Sequence, residues 1–152
     1  PALADDVLAW GGRSERRPDG SDTFPWIAQL GADGASHWQW ANGQLMTPGR
    51  VSAAVRTAAN QTCLVSTESW EHSTADQPPR GPRCSPDGCD ALTVRCFDQA
   101  GQELWKYHHR SELSTGYAIA ASNEGALYVA GDITRDLQRS TGKRSTVLRF
   151  DL

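Results

Sequence analysis

Short runs in which apolar and polar residues alternate recur along most of the chain, and turns containing Gly, Asn or Asp separate them. Alternation with a period of two predicts half-buried strands, and the β-branched and aromatic residues in these runs also favour strands. Helices are not expected, because no segment shows a convincing period of 3.6 residues. In the middle of the chain the pattern predicts strands at about 52–57, 62–67, 91–97 and 103–108.

An internal repeat organises these strands. Residues 30–38 (LGADGASHW) and 97–105 (FDQAGQELW) align without a gap at an offset of 67, and each contains an apolar residue, a turn with Gly and a Trp. A third copy begins at 147–151 (VLRFD), where Phe150 follows Phe97 at an offset of 53. Self-similarity over such distances indicates a fold built from copies of one structural unit.

A second repeated element precedes the first one in each copy. Residues 127–131 (LYVAG) resemble 7–11 (VLAWG) at an offset of 120, with residues 63–67 aligned between them. The first element recurs at steps of 67 and 53 residues, and the second at steps of 56 and 64, so both series total 120. Unequal steps with equal totals predict an 11-residue insertion in the middle copy, within 71–90.

Four short strands per copy at this spacing predict an all-β fold of four-stranded antiparallel β-propeller blades. The chain divides into a partial blade at about 1–50, a full blade at about 51–112 and a partial blade at about 113–152. These hold strands two to four, one to four and one to three of the blade. Ten strands do not close a ring, so we expect a slice of a longer propeller or a chain that other chains complete.

Two motifs carry a resemblance to known repeats, namely 128–131 (YVAG) and 98–105 (DQAGQELW). They resemble bacterial propeller repeats of the quinoprotein (PQQ-like) family, and are similar to blade repeats of bacterial surface and secreted proteins, of the WD40-like or PQQ-like kind. The resemblance implies structural roles for glycines and tryptophans. Gly in the turn takes a positive φ, and the Trp after it packs between neighbouring blades. The residues concerned are Gly34, Trp38, Gly101 and Trp105, together with Gly11 and Gly131 at the ends of the second element, where Gly11-Gly12 is expected to close a strand.

The four cysteines suggest disulfides. Cys84 and Cys89 flank Pro-Asp-Gly, a strong turn former, so they are predicted to pair, with half of a zinc site as the alternative. Cys63 and Cys96 lie on neighbouring antiparallel strands, where they form either a cross-strand disulfide or two buried thiols. A disulfide favours a secreted, periplasmic or cell-surface location.

Charge and composition exclude some partners. The net charge of −3 and the pI near 5.8 argue against nucleic-acid binding. No apolar run is long enough to span a bilayer. Acidic pairs at Asp5-Asp6, Asp19/Asp22 and Asp87/Asp90 leave calcium as an alternative to solvated turn residues, and no other cofactor is expected. The neighbouring His108 and His109 point to opposite faces of a strand, which disfavours a shared metal ion.

These features favour a non-catalytic binding or structural module that acts through propeller loops on a protein partner or on additional blades. No nucleophile motif or phosphate-binding loop is present in the sequence. Two alternatives remain. One is a fragment of a quinoprotein-like enzyme that uses PQQ and calcium, and the other is a subunit of a larger extracellular assembly.

Overall fold

The computed structural model of the protein describes residues 7–17, 20–41, 49–70, 89–109, 113–134 and 143–152. Ten β-strands and no helix occur in these ranges. The strands are β1 (Val7–Arg17), β2 (Gly20–Leu30), β3 (Ser36–Ala41), β4 (Gly49–Arg56), β5 (Thr62–Trp70), β6 (Cys89–Phe97), β7 (Glu103–His108), β8 (Leu113–Ala121), β9 (Ala126–Thr134) and β10 (Lys143–Asp151).

The strands form three antiparallel sheets in which neighbours along the chain are neighbours in space. The first sheet contains β1-β2-β3, the central sheet β4-β5-β6-β7 and the third sheet β8-β9-β10. The prediction of an all-β chain with ten strands grouped as three, four and three is confirmed. All four predicted central strands are present, and three of them extend beyond the predicted bounds: β4 begins at Gly49, β5 ends at Trp70 and β6 begins at Cys89.

Four five-residue turns share one hydrogen-bonding pattern. The first residue's N–H bonds to the carbonyl of the fifth, and the fourth residue's N–H bonds back to the carbonyl of the first. These turns span 31–35, 57–61, 98–102 and 122–126. The fourth residue has a positive φ in each, at Gly34 (77°), Asn60 (58°), Gly101 (78°) and Gly125 (82°). The positive φ predicted at Gly34 and Gly101 is therefore confirmed, and glycine suits it because it has no Cβ to clash.

The sheet registers correct the alignment of the second repeated element by one residue. At the same position of each sheet, Val7 pairs with Leu30, Thr62 with Phe97, and Leu127 with Phe150. The counterpart of Leu127 is therefore Thr62 and not Cys63. The step is 65 residues instead of 64, and the insertion is 12 residues instead of 11. Because β5 is buried on both faces, its continuous run of apolar residues is compatible with either alignment of the copies.

The expected strand end at Gly11-Gly12 is also wrong. β1 continues through both glycines to Arg17 and pairs with β2 along its whole length. Continuous pairing with a long partner strand outweighs the weak strand propensity of two glycines. Gly11 and Gly131 occupy equivalent positions, but only Gly131 is closely packed. A Cβ at Gly131 would lie 2.4 Å from the carbonyl oxygen of Thr115, whereas one at Gly11 would meet nothing within 4 Å.

The central sheet is covered on both faces. One face carries Cys63, Val65, Val94 and Cys96 and packs against Leu127 and Val129 of the third sheet. We call it the apolar face. The opposite face carries Leu64 and Phe97 and packs against Ile27 and Trp38 of the first sheet. We call it the mixed face, because polar residues continue it beyond Leu64.

The same aromatic contact joins both pairs of sheets. The rings of Trp38 and Trp40 in β3 lie 5.8 Å and 5.3 Å from the ring of Phe97 in the central sheet. Trp105 and Tyr107 in β7 lie 5.6 Å and 5.1 Å from the ring of Phe150 in the third sheet. Trp38 and Trp105 thus lie between sheets, and the first and central sheets present equivalent aromatic residues to the next sheet.

Candidate functional site

The two ends of the sheets differ in their connections. The four matched turns join β2 to β3, β4 to β5, β6 to β7 and β8 to β9, and they lie at one end, which we call the turn end. The remaining strand ends lie at the opposite end, which we call the connection end. They flank residues 18–19, 42–48, 71–88, 110–112 and 135–142. This arrangement follows from antiparallel order, because alternate connections in such a sheet lie at opposite ends.

Polar side chains occupy the half of the mixed face that is nearer the connection end. Ser66 and Glu68 alternate along β5, and Thr93 and Arg95 alternate along the neighbouring β6, so all four point to this face. Each has at most 2% of its surface exposed. Leu64 and Phe97 fill the other half of the same face, nearer the turn end. One face of the sheet therefore combines an apolar half with a buried polar half.

Arg95 is the centre of this polar group. Its Nη2 and Nε donate to the two carboxylate oxygens of Glu68 at 2.8 Å and 3.1 Å, and its Nη1 donates to Glu103. The guanidinium carbon lies 4.8 Å from the ring centroid of Trp40 in the first sheet, which adds a cation–π contact. The hydroxyl of Ser66 donates to Glu68 at 2.7 Å. Arg95 thus links the central sheet to the first sheet.

Burial acts to lower the pKa of Arg95, but hydrogen bonds and charge attraction from Glu68 and Glu103 outweigh it and raise that pKa above its ordinary value. Arg95 is therefore charged at neutral pH. A buried pair of this kind depends on both partners, because the loss of one leaves the other charge without compensation.

The buried polar residues make structural hydrogen bonds to one another and to their neighbours. Ser66 is fully buried and its hydroxyl points at a carboxylate, so it is not placed to attack a substrate. Thr93 bonds to Nδ1 of His108 at 2.7 Å, whereas Nδ1 of His109 lies 3.0 Å from the hydroxyl of Tyr107. The two histidines contact different faces of the sheet, as expected. In the part of the chain that the structure describes, no group of three His, Cys, Asp or Glu side chains is arranged to hold a metal ion.

The third sheet carries an exposed polar group at the same end. Asp132 accepts hydrogen bonds from the hydroxyls of Tyr117, at 3.0 Å, and Ser145, at 3.1 Å. The bond to Asp132 raises the pKa of Tyr117, because it stabilises the protonated phenol. The three residues come from β8, β9 and β10. A β-bulge between Gly116 and Ala118 brings Tyr117 to the same face of the sheet as Asp132.

The structure brings one predicted cysteine pair together. Cys63 and Cys96 are directly paired residues of β5 and β6, with Cα atoms 4.1 Å apart and sulfurs at disulfide distance. Of the two alternatives for this pair, the cross-strand disulfide is the one observed. The predicted Cys84–Cys89 pair cannot be compared with the structure, because Cys84 and the side chain of Cys89 lie outside the described residues. Most residues of the proposed calcium pairs also lie outside them.

Sequence reasoning missed the Arg95 group. A signal for it was present, because Arg95 is the one charged residue of a mostly apolar strand in 91–97 (ALTVRCF), and a charge there requires a partner. Glu68 was not recognisable as that partner without the register of β5 against β6. The other sheets have no charged residue at the position of Arg95, since the equivalent residues are Ala28 and Leu148.

No family model matches the chain, and no curated protein matches it. No helix in the described ranges is long and apolar enough to cross a membrane.

Proposed function

We propose that the chain is a non-catalytic binding module built from β-propeller-type blades, which engages a protein partner through the connections at one end of its sheets. Each of the three sheets would be one blade or part of one. The repeated packing of Trp38 and Trp105 on the next sheet supports this assignment, because stacked blades repeat one interface around an axis.

The difference between the two ends carries the functional proposal. The turns at the turn end share one length and one hydrogen-bonding pattern, which is typical of a structural role. The connections at the other end differ widely in length, from residues 18–19 to residues 71–88. Variable loops held on a rigid sheet framework are where binding residues concentrate in many folds.

A secreted, periplasmic or cell-surface setting fits the Cys63–Cys96 pair, since disulfides persist in oxidising compartments. The buried polar residues support a module that does no chemistry of its own. Arg95, Glu68 and Ser66 satisfy one another within the central sheet, and Arg95 also contacts Trp40 of the first sheet.

Site-directed photocrosslinking tests this proposal. A photoreactive amino acid is placed at Gln77, in the longest connection, and in a matched variant at Asn123, in a turn at the opposite end. Both proteins are irradiated with the envelope and secreted fractions of the cells that make the protein. We expect a discrete adduct of constant mass from the Gln77 variant and none from the Asn123 variant. Equal labelling from both ends would contradict the proposal.

An activity assay separates this function from the enzyme alternative. The protein is loaded with PQQ and calcium and assayed for dye-linked dehydrogenase activity on a panel of alcohols and sugars. Turnover above that of heat-denatured protein would replace the binding proposal with the quinoprotein-like one.

A further inference from the structure

The third sheet exposes positions that are buried in the central sheet. Ile27 in β2, Val94 in β6 and Val147 in β10 occupy equivalent positions, but their exposed fractions are 0%, 0% and 67%. Tyr128 is 42% exposed, whereas its counterpart Cys63 is fully buried. The outward face of the third sheet is thus equivalent to the apolar face of the central sheet.

The edge of β10 is also unpaired within the described ranges. The same edge of β2 is hydrogen-bonded to β3, and that of β6 to β7, in matching registers with a shift at the same place. Both partner strands carry aromatic residues two positions apart, which are Trp38 with Trp40 and Trp105 with Tyr107. The first aromatic residue pairs with Gln29 or Cys96, and the second with Ile27 or Val94.

We propose that the free edge of β10 docks one further extended strand, which carries two aromatic side chains two residues apart. The occupant is a strand of the same kind as β3 and β7, supplied from outside the described residues. Its first aromatic side chain lies beside Arg149 and its second beside Val147. Addition of a strand to a free sheet edge is a common mode of protein recognition, in which backbone hydrogen bonds give affinity and side-chain pockets give specificity.

The chemistry of the edge fits this occupant. The side chain of Arg149 is 63% exposed, and its nearest ion-pair partner is the still more exposed Asp151, at 2.8 Å. A guanidinium in this position is free to stack on an aromatic ring, as Arg95 does on Trp40 in the first interface. Val147 and Tyr128 supply apolar surface next to it.

This inference rests on the repeated sheet packing, which also supports the proposed function, but not on what the connection end binds. In the test, Leu152 is replaced by a copy of residues 99–109, which contain the rest of the turn and β7. The copy then follows Asp151 as the original follows Asp98. The control extension has serine in place of the copied Trp105 and Tyr107. Amide hydrogen exchange at Val147 and Arg149, together with thermal unfolding, compares the two proteins.

We expect exchange at these amides to be about tenfold slower with the aromatic extension than with the serine extension. The melting temperature should be about 3 °C higher. Identical behaviour of the two extensions would overturn the proposal. It would also be overturned if the original chain formed a dimer in which these amides were already protected, because the edge would then belong to a second copy. Neither result would affect the crosslinking test of the connection end.

Discussion

The two faces of the central sheet are packed with different chemistry, although both lie against a neighbouring sheet. The apolar face is a continuous core of aliphatic residues and the Cys63–Cys96 pair, with aromatic residues packed against it. The mixed face replaces half of that core with Arg95, Glu68 and their partners. An aliphatic contact is non-directional and tolerates repacking, whereas a buried ion pair requires complete partners in a fixed geometry. The comparison indicates that the repeat specifies positions and aromatic contacts, and leaves the remaining chemistry of each interface free to vary.

The equivalent residues of the third sheet show what the mixed face would contain in an aliphatic version. Arg95 corresponds to Leu148 and Glu68 to Ile133, by the register of the paired strands. The ion pair is therefore one of two solutions that the same fold accepts.

Replacing Arg95 by leucine should have the largest effect. It leaves the carboxylate of Glu68 buried without its cation, which we expect to reduce the free energy of unfolding by about 4 kcal/mol. Urea denaturation followed by tryptophan fluorescence measures this loss. The double variant Glu68→Ile with Arg95→Leu copies the third sheet and removes both charges. We expect its stability to return to within about 1 kcal/mol of the original protein. A double variant as unstable as the single one would show that the charges are not what matters on this face.

On the apolar face, loss of the Cys63–Cys96 disulfide should have a smaller effect. The two cysteines are 33 residues apart in sequence, and closing a loop of this length lowers the entropy of the unfolded chain. We expect the Cys63→Ala, Cys96→Ala variant to lose about 3 kcal/mol. Denaturation of the oxidised protein, the reduced protein and the double variant separates the effect of the cross-link from that of the removed sulfurs. Equal stability of the oxidised and reduced proteins would contradict this expectation.

Strands and turns were predictable from the sequence because their signals are local. The alternation of residues in β7 and the glycines at Gly34 and Gly101 act within a few positions, and the structure agrees with them. The register of β5 was not predictable, since Cys63, Leu64 and Val65 are all apolar and either alignment buries them. The Arg95–Glu68 contact depends on that register, so it could not be derived before the strands were paired.

The turns lie on neither face of the central sheet. We therefore expect substitutions in them to change the free energy of unfolding only slightly and to affect neither interface. Asn60 occupies the position that glycine fills in the other three turns, with a φ of 58°. Asparagine tolerates this left-handed conformation, whereas the second γ substituent of a β-branched residue crowds the backbone there, so we expect Asn60→Val to cost about 1 kcal/mol. Asn60→Gly should be close to neutral, because relief of the backbone is offset by the greater entropy of the unfolded chain. Ala59→Val, at the preceding exposed position of the same turn, controls for the added side chain. Thermal unfolding of the three variants is sufficient, and a loss from Asn60→Gly as large as that from Asn60→Val would mean that the asparagine side chain, and not its backbone conformation, stabilises the turn.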